Sequence, residues 1–140
     1  MFIQNKEESR AYFYKVWDKK KNKLFLEPLE ILISGVIYDH PEYHCYLDNK
    51  ETLNRNDYNI EAHTVNPFLH MGMHIALKEQ INSDRPIGIK GIFKRILSSS
   101  TSIHDAEHKM MECLGVSLWE AQCKKEPPNE DRYIECLKNI

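Results

Sequence analysis

The sequence has few glycines and no long apolar run, and both shortages limit the class of protein it can encode. Five glycines in 140 residues, together with few runs of alternating β-branched residues, argue against a β-sheet fold. No apolar segment approaches the roughly 18 residues that a membrane helix needs. The N-terminal stretch MFIQNKEESR is too polar and acidic for a signal peptide. We therefore expect a cytoplasmic protein with no membrane partner.

An excess of positive charge is also missing. The formal net charge is -2, and the densest cationic run, KKKNK at 19–23, closes a predicted helix, where the helix dipole favours positive charge. The sequence therefore predicts no nucleic-acid partner, and it leaves any protein partner unknown. G-x-S-x-G, P-loop, G-x-G-x-x-G and H-E-x-x-H motifs are absent, so serine hydrolases, nucleotide-binding proteins and zincin proteases have no motif support.

Cysteine is sparse, and its spacing excludes the common cysteine-based sites. Cys45, Cys113, Cys123 and Cys136 show no C-x-x-C spacing. This pattern predicts free thiols in a reducing compartment and disfavours a cysteine zinc site or a redox dithiol. Cys45 adjoins His44, which leaves a nucleophilic cysteine as a weak alternative, because sequence neighbours on a helix point in different directions.

Apolar residues recur at intervals of three and four over most of the chain, which predicts an all-α fold. We expect a single domain over residues 1–140, a helical bundle with a four-helix core and short accessory helices. Caps and prolines predict helices at about 6–20, 27–39, 41–47, 67–81, 84–97, 103–124 and 130–139. The segment 48–65, rich in Asn and Asp, is predicted to be the longest loop, with a turn of helix near 51–54.

Two of the predicted helices carry a pair of histidines four residues apart. NPFLHMGMHIALKEQ contains His70 and His74, and SIHDAEHKMMECLGVSLWEAQ contains His104 and His108. Residues four apart on a helix are separated by about 6 Å along the axis and about 40° around it, so both rings project from one face. We predict that the two pairs lie on facing surfaces of packed helices and offer four nitrogens to one ion.

Carboxylates flank the second pair. Glu107 and Glu112 lie on either side of the His104 and His108 stripe, and either could bind an ion or orient a ligand histidine. Imidazole and carboxylate groups within a helical bundle suit iron, zinc or manganese. The sequence therefore predicts a metal site whose ligands are imidazoles and carboxylates, from His70, His74, His104, His108, Glu107 and Glu112. An open coordination position would allow redox or hydrolytic chemistry, and whether the protein is an enzyme stays open.

The pattern leaves two alternatives. In the first, the histidines are core polar groups that hydrogen-bond to one another, and the protein is a non-enzymatic structural or partner-binding helical protein without metal. In the second, Met71 and Met73 join the imidazoles at a Cu(I) site, which we disfavour because the two methionines point to different sides of an ideal helix. The roles of His40, His44 and His63 are left open.

Four sequence segments resemble a family of small uncharacterised bacterial proteins, a domain of unknown function. The segments are HPEYH, NPFLHMGMHIALKEQ, DRPIGI and EHKMMECLGVSLWEAQ. The resemblance covers nearly the whole chain, including Trp17 and the PLE of residues 28–30. It implies a bacterial source and a compact helical protein, and it implies no reaction or ligand.

Overall fold

The computed structural model describes residues 6–48 and 67–140, and the side chains from residue 10 onward within the first range. All regular secondary structure in these ranges is helical, so the predicted all-α fold class is confirmed. The described residues leave out positions 49–65 of the predicted loop, with its turn near 51–54 and His63. They also leave out Asn66, which the sequence predicts to cap the helix that starts at Pro67.

The described ranges contain seven α-helices and one short 3-10 helix. The α-helices are α1 (Lys6–Lys21), α2 (Pro28–Tyr38), α3 (His44–Asp48), α4 (Pro67–Ser83), α5 (Ile89–Ser98), α6 (Ile103–Lys124) and α7 (Glu130–Lys138). The 3-10 helix, Pro41–Tyr43, comes directly before α3. None of the helices in the described ranges combines the length and apolar character required to cross a membrane.

The chain divides into two compact units, Met1–Ile75 and Ala76–Ile140, with the boundary inside α4. The prediction of one domain over the whole chain therefore stays a prediction. In unit 1, α1 packs against α2 and α3. The core of this unit consists of residues with at most 7% exposure: Phe13, Tyr14, Val16, Ile33, Val36, Ile37, Leu47, Phe68, Met71 and Ile75.

A buried carboxylate fixes the start of α2. The backbone N–H of Glu27 donates to Glu30, and Pro28 occupies the first turn, where its missing N–H is not needed. Lys19 of α1 donates to both carboxylate oxygens of Glu30 at 3.0 and 3.1 Å. These donors lower the pKa of the Glu30 carboxyl, the Glu27 N–H most strongly.

In unit 2, α6 packs against α5 and α7, and α5 also contacts α7. Its buried residues include Ile89, Ile96, Met110, Leu114 and Leu137. The Arg95 guanidinium of α5 donates to the backbone carbonyls of Leu137, Lys138 and Ile140. A cation at these carbonyls is favoured by the helix dipole at the C-terminus of α7.

The start of α5 differs from the sequence prediction. The helix begins at Ile89 and not near Asp84, because residues 84–88 form a turn. Asp84 has φ 53°, and its Oδ1 accepts the backbone N–H groups of Gly88 and Lys90 at 3.1 and 3.0 Å. The Arg85–Pro86 peptide is cis, and Gly88 has φ 99°, a conformation that favours glycine. Asp84 therefore caps the helix from a preceding turn.

The prediction of four free thiols was wrong. Cys113 of α6 and Cys136 of α7 form a disulfide with a Cα–Cα distance of 5.8 Å. Residues 23 positions apart meet here because α6 and α7 are packed side by side, a tertiary relation that spacing rules do not reveal. Cys45 and Cys123 are free, as predicted, and both are exposed.

Candidate metal centre

His40 lies just after the last turn of α2, with a buried side chain. Pro41 follows it and disfavours helical angles, and His40 accordingly has φ -124° and ψ 67°. Its Nδ1 lies 2.7 Å from the backbone carbonyl oxygen of Val36. Since a carbonyl oxygen can only accept, Nδ1 carries the hydrogen and Nε2 of the neutral ring carries the lone pair. Tyr43 stacks on this ring with a centroid distance of 5.4 Å.

His70 and His74 of α4 join His40 in one cluster within unit 1. Their Nε2 atoms are 3.3 Å apart, so one ring donates a hydrogen bond to the other. The centroid of the His40 ring lies 5.0 Å from that of His70 and 4.7 Å from that of His74. A ligand nitrogen of His40 and one of His74 lie within 4.8 Å of each other. Two buried imidazoles of unit 1, those of His40 and His74, are thus close enough to bind a common ion.

His104 and His108 form the second pair, in unit 2. They lie in the first turns of α6, whose N-cap residue Ser102 accepts the backbone N–H of Asp105. Their ring centroids are 4.2 Å apart in an edge-to-face arrangement, and a ligand nitrogen of each lies within 4.8 Å of the other. The spacing of four residues thus brings both rings to one face of the helix.

The two candidate carboxylates have different environments. Glu107 is 2% exposed, and its Oε2 accepts a hydrogen bond from Nζ of Lys78 at 2.8 Å. Glu112 is exposed. A buried carboxylate needs a charged or hydrogen-bonding partner, and Lys78 provides one for Glu107. Glu107 is therefore engaged in a structural ion pair with Lys78, and Glu112 lies on the surface of the unit.

The buried face of α6 is rotated from the stripe expected from the sequence. Its buried residues are Ala106, Glu107, Met110, Met111, Cys113, Leu114 and Ser117. Its spacing in the sequence places Leu118 on the same helix stripe as His104 and His108, a stripe predicted to face the core, but Leu118 is 44% exposed. The prediction that the His104 and His108 stripe faces the core along its whole length was therefore wrong at its C-terminal end.

His44 serves a structural contact in unit 1. Its Nε2 donates to the backbone carbonyl of Ile37 at 2.8 Å, and its ring lies 4.5 Å from that of Trp17. The thiol of Cys45 points to the carbonyl of Glu42 at 3.9 Å. These contacts give no support to a nucleophilic pair of Cys45 and His44.

Two further residues bear on the alternatives raised by the sequence. His40 belongs to the cluster, although its role was left open, and the only local signal was its position before a proline at a helix end. Met71, considered as a copper ligand, is fully buried in the hydrophobic core of unit 1. Its burial in the apolar core favours packing over copper coordination.

The fold and the clustered imidazoles define an all-α protein that carries a histidine cluster able to hold a metal. The chain belongs to the family described as Domain of unknown function (DUF1841), whose model matches residues 5–139. The resemblance to a domain-of-unknown-function family is thereby confirmed, and the bacterial source stays a prediction. No curated protein and no solved structure matches the chain.

Proposed function

We propose that this protein binds a transition-metal ion, either iron, zinc or manganese, through its paired histidine motifs together with His40. In this proposal His40 and His74 of unit 1 each supply one nitrogen, and the further ligands are the pair that the sequence predicts, His104 and His108. His70 acts as a hydrogen-bonding neighbour of His74. The observation that carries the proposal is the approach of two side chains, His40 and His74, that are each only 1% exposed.

The tautomer of His40 supports this role. Ligand histidines in metal sites commonly donate their second ring N–H to a carbonyl or carboxylate, which fixes the ring and directs the other nitrogen at the ion. The hydrogen bond from Nδ1 of His40 to Val36 is of this kind. It leaves Nε2 as the nitrogen with a lone pair for an ion.

Ligand number is the reason for including the second pair. Two imidazoles fill only half of the four positions that zinc prefers, and sites with iron or manganese use at least as many ligands. His104 and His108 are the second pair with ligand nitrogens within 4.8 Å of each other. Glu112 is left out of the proposed ligand set because it is exposed, and Glu107 because it is paired with Lys78.

The hydrogen bond between His70 and His74 favours one rival interpretation. It is the contact expected if the histidines are ordinary polar groups of a helical protein that binds a partner or has a purely structural role. The two interpretations differ in one measurable respect: only the metal proposal makes the stability of the folded state depend on an ion.

The first experiment is elemental analysis of protein purified without a polyhistidine tag or a chelating column. The expected result is close to one equivalent of iron, zinc or manganese per chain. Reconstitution of metal-free protein with Co²⁺ should then give visible absorption bands that report nitrogen coordination. A metal-free preparation that also fails to bind added Zn²⁺, Fe²⁺, Mn²⁺ or Co²⁺ would reject the proposal.

The second experiment compares thermal unfolding with and without chelator in three proteins. Chelator should lower the melting temperature of the wild type, because free metal at about 100 times Kd stabilises the folded state by about 2.7 kcal/mol. His74→Leu should remove this response. His44→Phe is the matched control: it also replaces a histidine and retains a ring beside Trp17, and its chelator response should equal that of the wild type. Equal chelator responses in His74→Leu and the wild type would contradict the proposed ligand set.

A further inference from the structure

Unit 2 contains a cleft that the proposed metal site does not use. Its volume is about 670 Å³, which lies within the range of roughly 300–1,000 Å³ typical of small-molecule sites. Two connecting segments border it, the turn before α5 and the segment between α6 and α7. The cleft therefore has the size of a ligand site and walls that come from distant parts of the unit's sequence.

The turn before α5 contributes a cation to the cleft. Asp84 holds this turn through its bonds to the N–H groups of Gly88 and Lys90, and Arg85 is the next residue. In the described part of the chain, the Arg85 guanidinium makes no ion pair or side-chain hydrogen bond. The other two arginines of the unit are engaged, Arg95 with carbonyls of the α7 end and Arg132 with Glu120.

The start of α7 contributes anions to the same cleft. Asn129 caps this helix by accepting the N–H of Arg132, and Glu130 and Asp131 follow in the first turn. Both acidic side chains line the cleft and are exposed. Within the described ranges neither carboxylate has an ion-pair partner. The cleft thus offers one positive and two negative groups, supplied by different segments.

Apolar side chains and one neutral polar pair complete the walls. Leu114, Leu118, Pro86 and Pro127 supply apolar surface. The hydroxyl of Tyr133 donates to the side-chain oxygen of Gln80 at 2.7 Å. Burial raises the pKa of Tyr133, so this hydroxyl stays neutral and adds no charge to the cleft.

We propose that this cleft binds a zwitterionic small molecule of the α-amino acid class with an apolar side chain. Arg85 pairs with the carboxylate, for which the planar guanidinium offers two parallel N–H donors. Glu130 and Asp131 pair with the ammonium group, and Leu118 and Pro127 contact the apolar side chain. A ligand with only one of the two charges would leave part of the cleft uncompensated.

Isothermal titration calorimetry on the full chain tests the proposal with four probes. L-leucine and L-phenylalanine carry both charges, L-leucinamide lacks the carboxylate and 4-methylpentanoate lacks the ammonium group. At least one of the two amino acids should bind, and the two single-charge analogues should bind about tenfold more weakly or not at all. Absence of binding by both amino acids at millimolar concentration would overturn the proposal. So would equal affinity for an analogue and its parent.

Variants of the charged groups provide the second arm. Arg85→Gln, and the double variant Glu130→Gln with Asp131→Asn, should each weaken binding of the amino acid by about tenfold or more. Lys90→Gln is the matched control, because Lys90 is an exposed cation close to the same turn but outside the cleft lining. Its affinity should equal that of the wild type. Unchanged affinity in Arg85→Gln would overturn the assignment of Arg85 to the ligand carboxylate. Arg85→Lys keeps the positive charge without the paired donors and serves as the control for a folding defect.

Discussion

Replacing Cys113 and Cys136 together by serine is expected to lower the free energy of unfolding by roughly 3 kcal/mol. The disulfide closes a loop with a sequence separation of 23. In the chain-entropy treatment, a loop of this length removes about 11 cal/mol/K from the unfolded chain, which corresponds to roughly 3 kcal/mol at 25 °C. For a chain of this size, the loss should lower the melting temperature by roughly 10 °C.

The assay is thermal unfolding followed by far-UV circular dichroism, with the wild type measured both oxidised and after reduction. Reduction avoids the added cost of placing a serine hydroxyl at Cys113, which is only 4% exposed. The control is Cys45→Ser with Cys123→Ser, which changes two exposed free thiols and should melt like the wild type. Identical melting of oxidised and reduced wild type, or four reactive thiols in unfolded but unreduced protein, would refute the reasoning.

Three other predictions concern Glu30, the histidine cluster and the last helix. The pKa of Glu30 is lowered in the folded state, so as pH falls below the ordinary value of 4.5 the unfolded chain takes up the proton first, and the stability from this carboxylate is present above pH 4.5 and lost below it. In urea unfolding, the stability of Glu30→Gln should therefore decline less between about pH 5 and 3 than that of the wild type. Parallel stability curves for the two proteins would contradict this. His40→Asn should abolish metal binding, whereas His70→Asn should weaken it by about 10-fold to 100-fold. Equal losses of Co²⁺ affinity in the two variants would contradict the proposal that His40 is a ligand and His70 only a neighbour of one. Asn129→Ala should cost about 1 kcal/mol in urea unfolding because the N–H of Arg132 loses its acceptor, and a change near zero would show that the cap is not used in solution.

Most helices could be predicted because their signals are local. Pro28 and Pro67 each occupy the first residue of a helix, and Ser102 and Asn129 each accept a backbone N–H as caps. Such signals depend on residues within one turn of each other, and the sequence displays them directly. The start of α5 was misplaced because Asp84 bonds to N–H groups four and six residues away, across a turn.

Features that depend on tertiary packing could not be predicted. The spacing of His70 and His74 indicated their mutual contact, but nothing in the sequence shows that His40, which is 30 residues before His70, lies against the same pair. The pairing of Cys113 with Cys136 depends on how α6 packs against α7. The rotation of α6, which buries Glu107 and exposes Glu112, is likewise set by packing, because both residues flank the histidine stripe almost equally on an ideal helix.

The contact between His40 and Val36 also has a spectroscopic consequence. In a helix, the carbonyl of Val36 would normally accept the backbone N–H of residue 40, four positions later. Here the N–H of His40 donates to the carbonyl of Ile37, and Nδ1 of the His40 ring donates to the carbonyl of Val36. With the hydrogen held on Nδ1, the two ring nitrogens of the neutral side chain are chemically distinct, one pyrrole-like and one pyridine-like. In a nitrogen-15-labelled sample they should give two widely separated resonances, and only the pyridine-like nitrogen has a lone pair through which an added ion would move its signal. The nitrogen-15 signal of the His40 ring, at the end of α2, would therefore report directly whether this side chain binds an added ion.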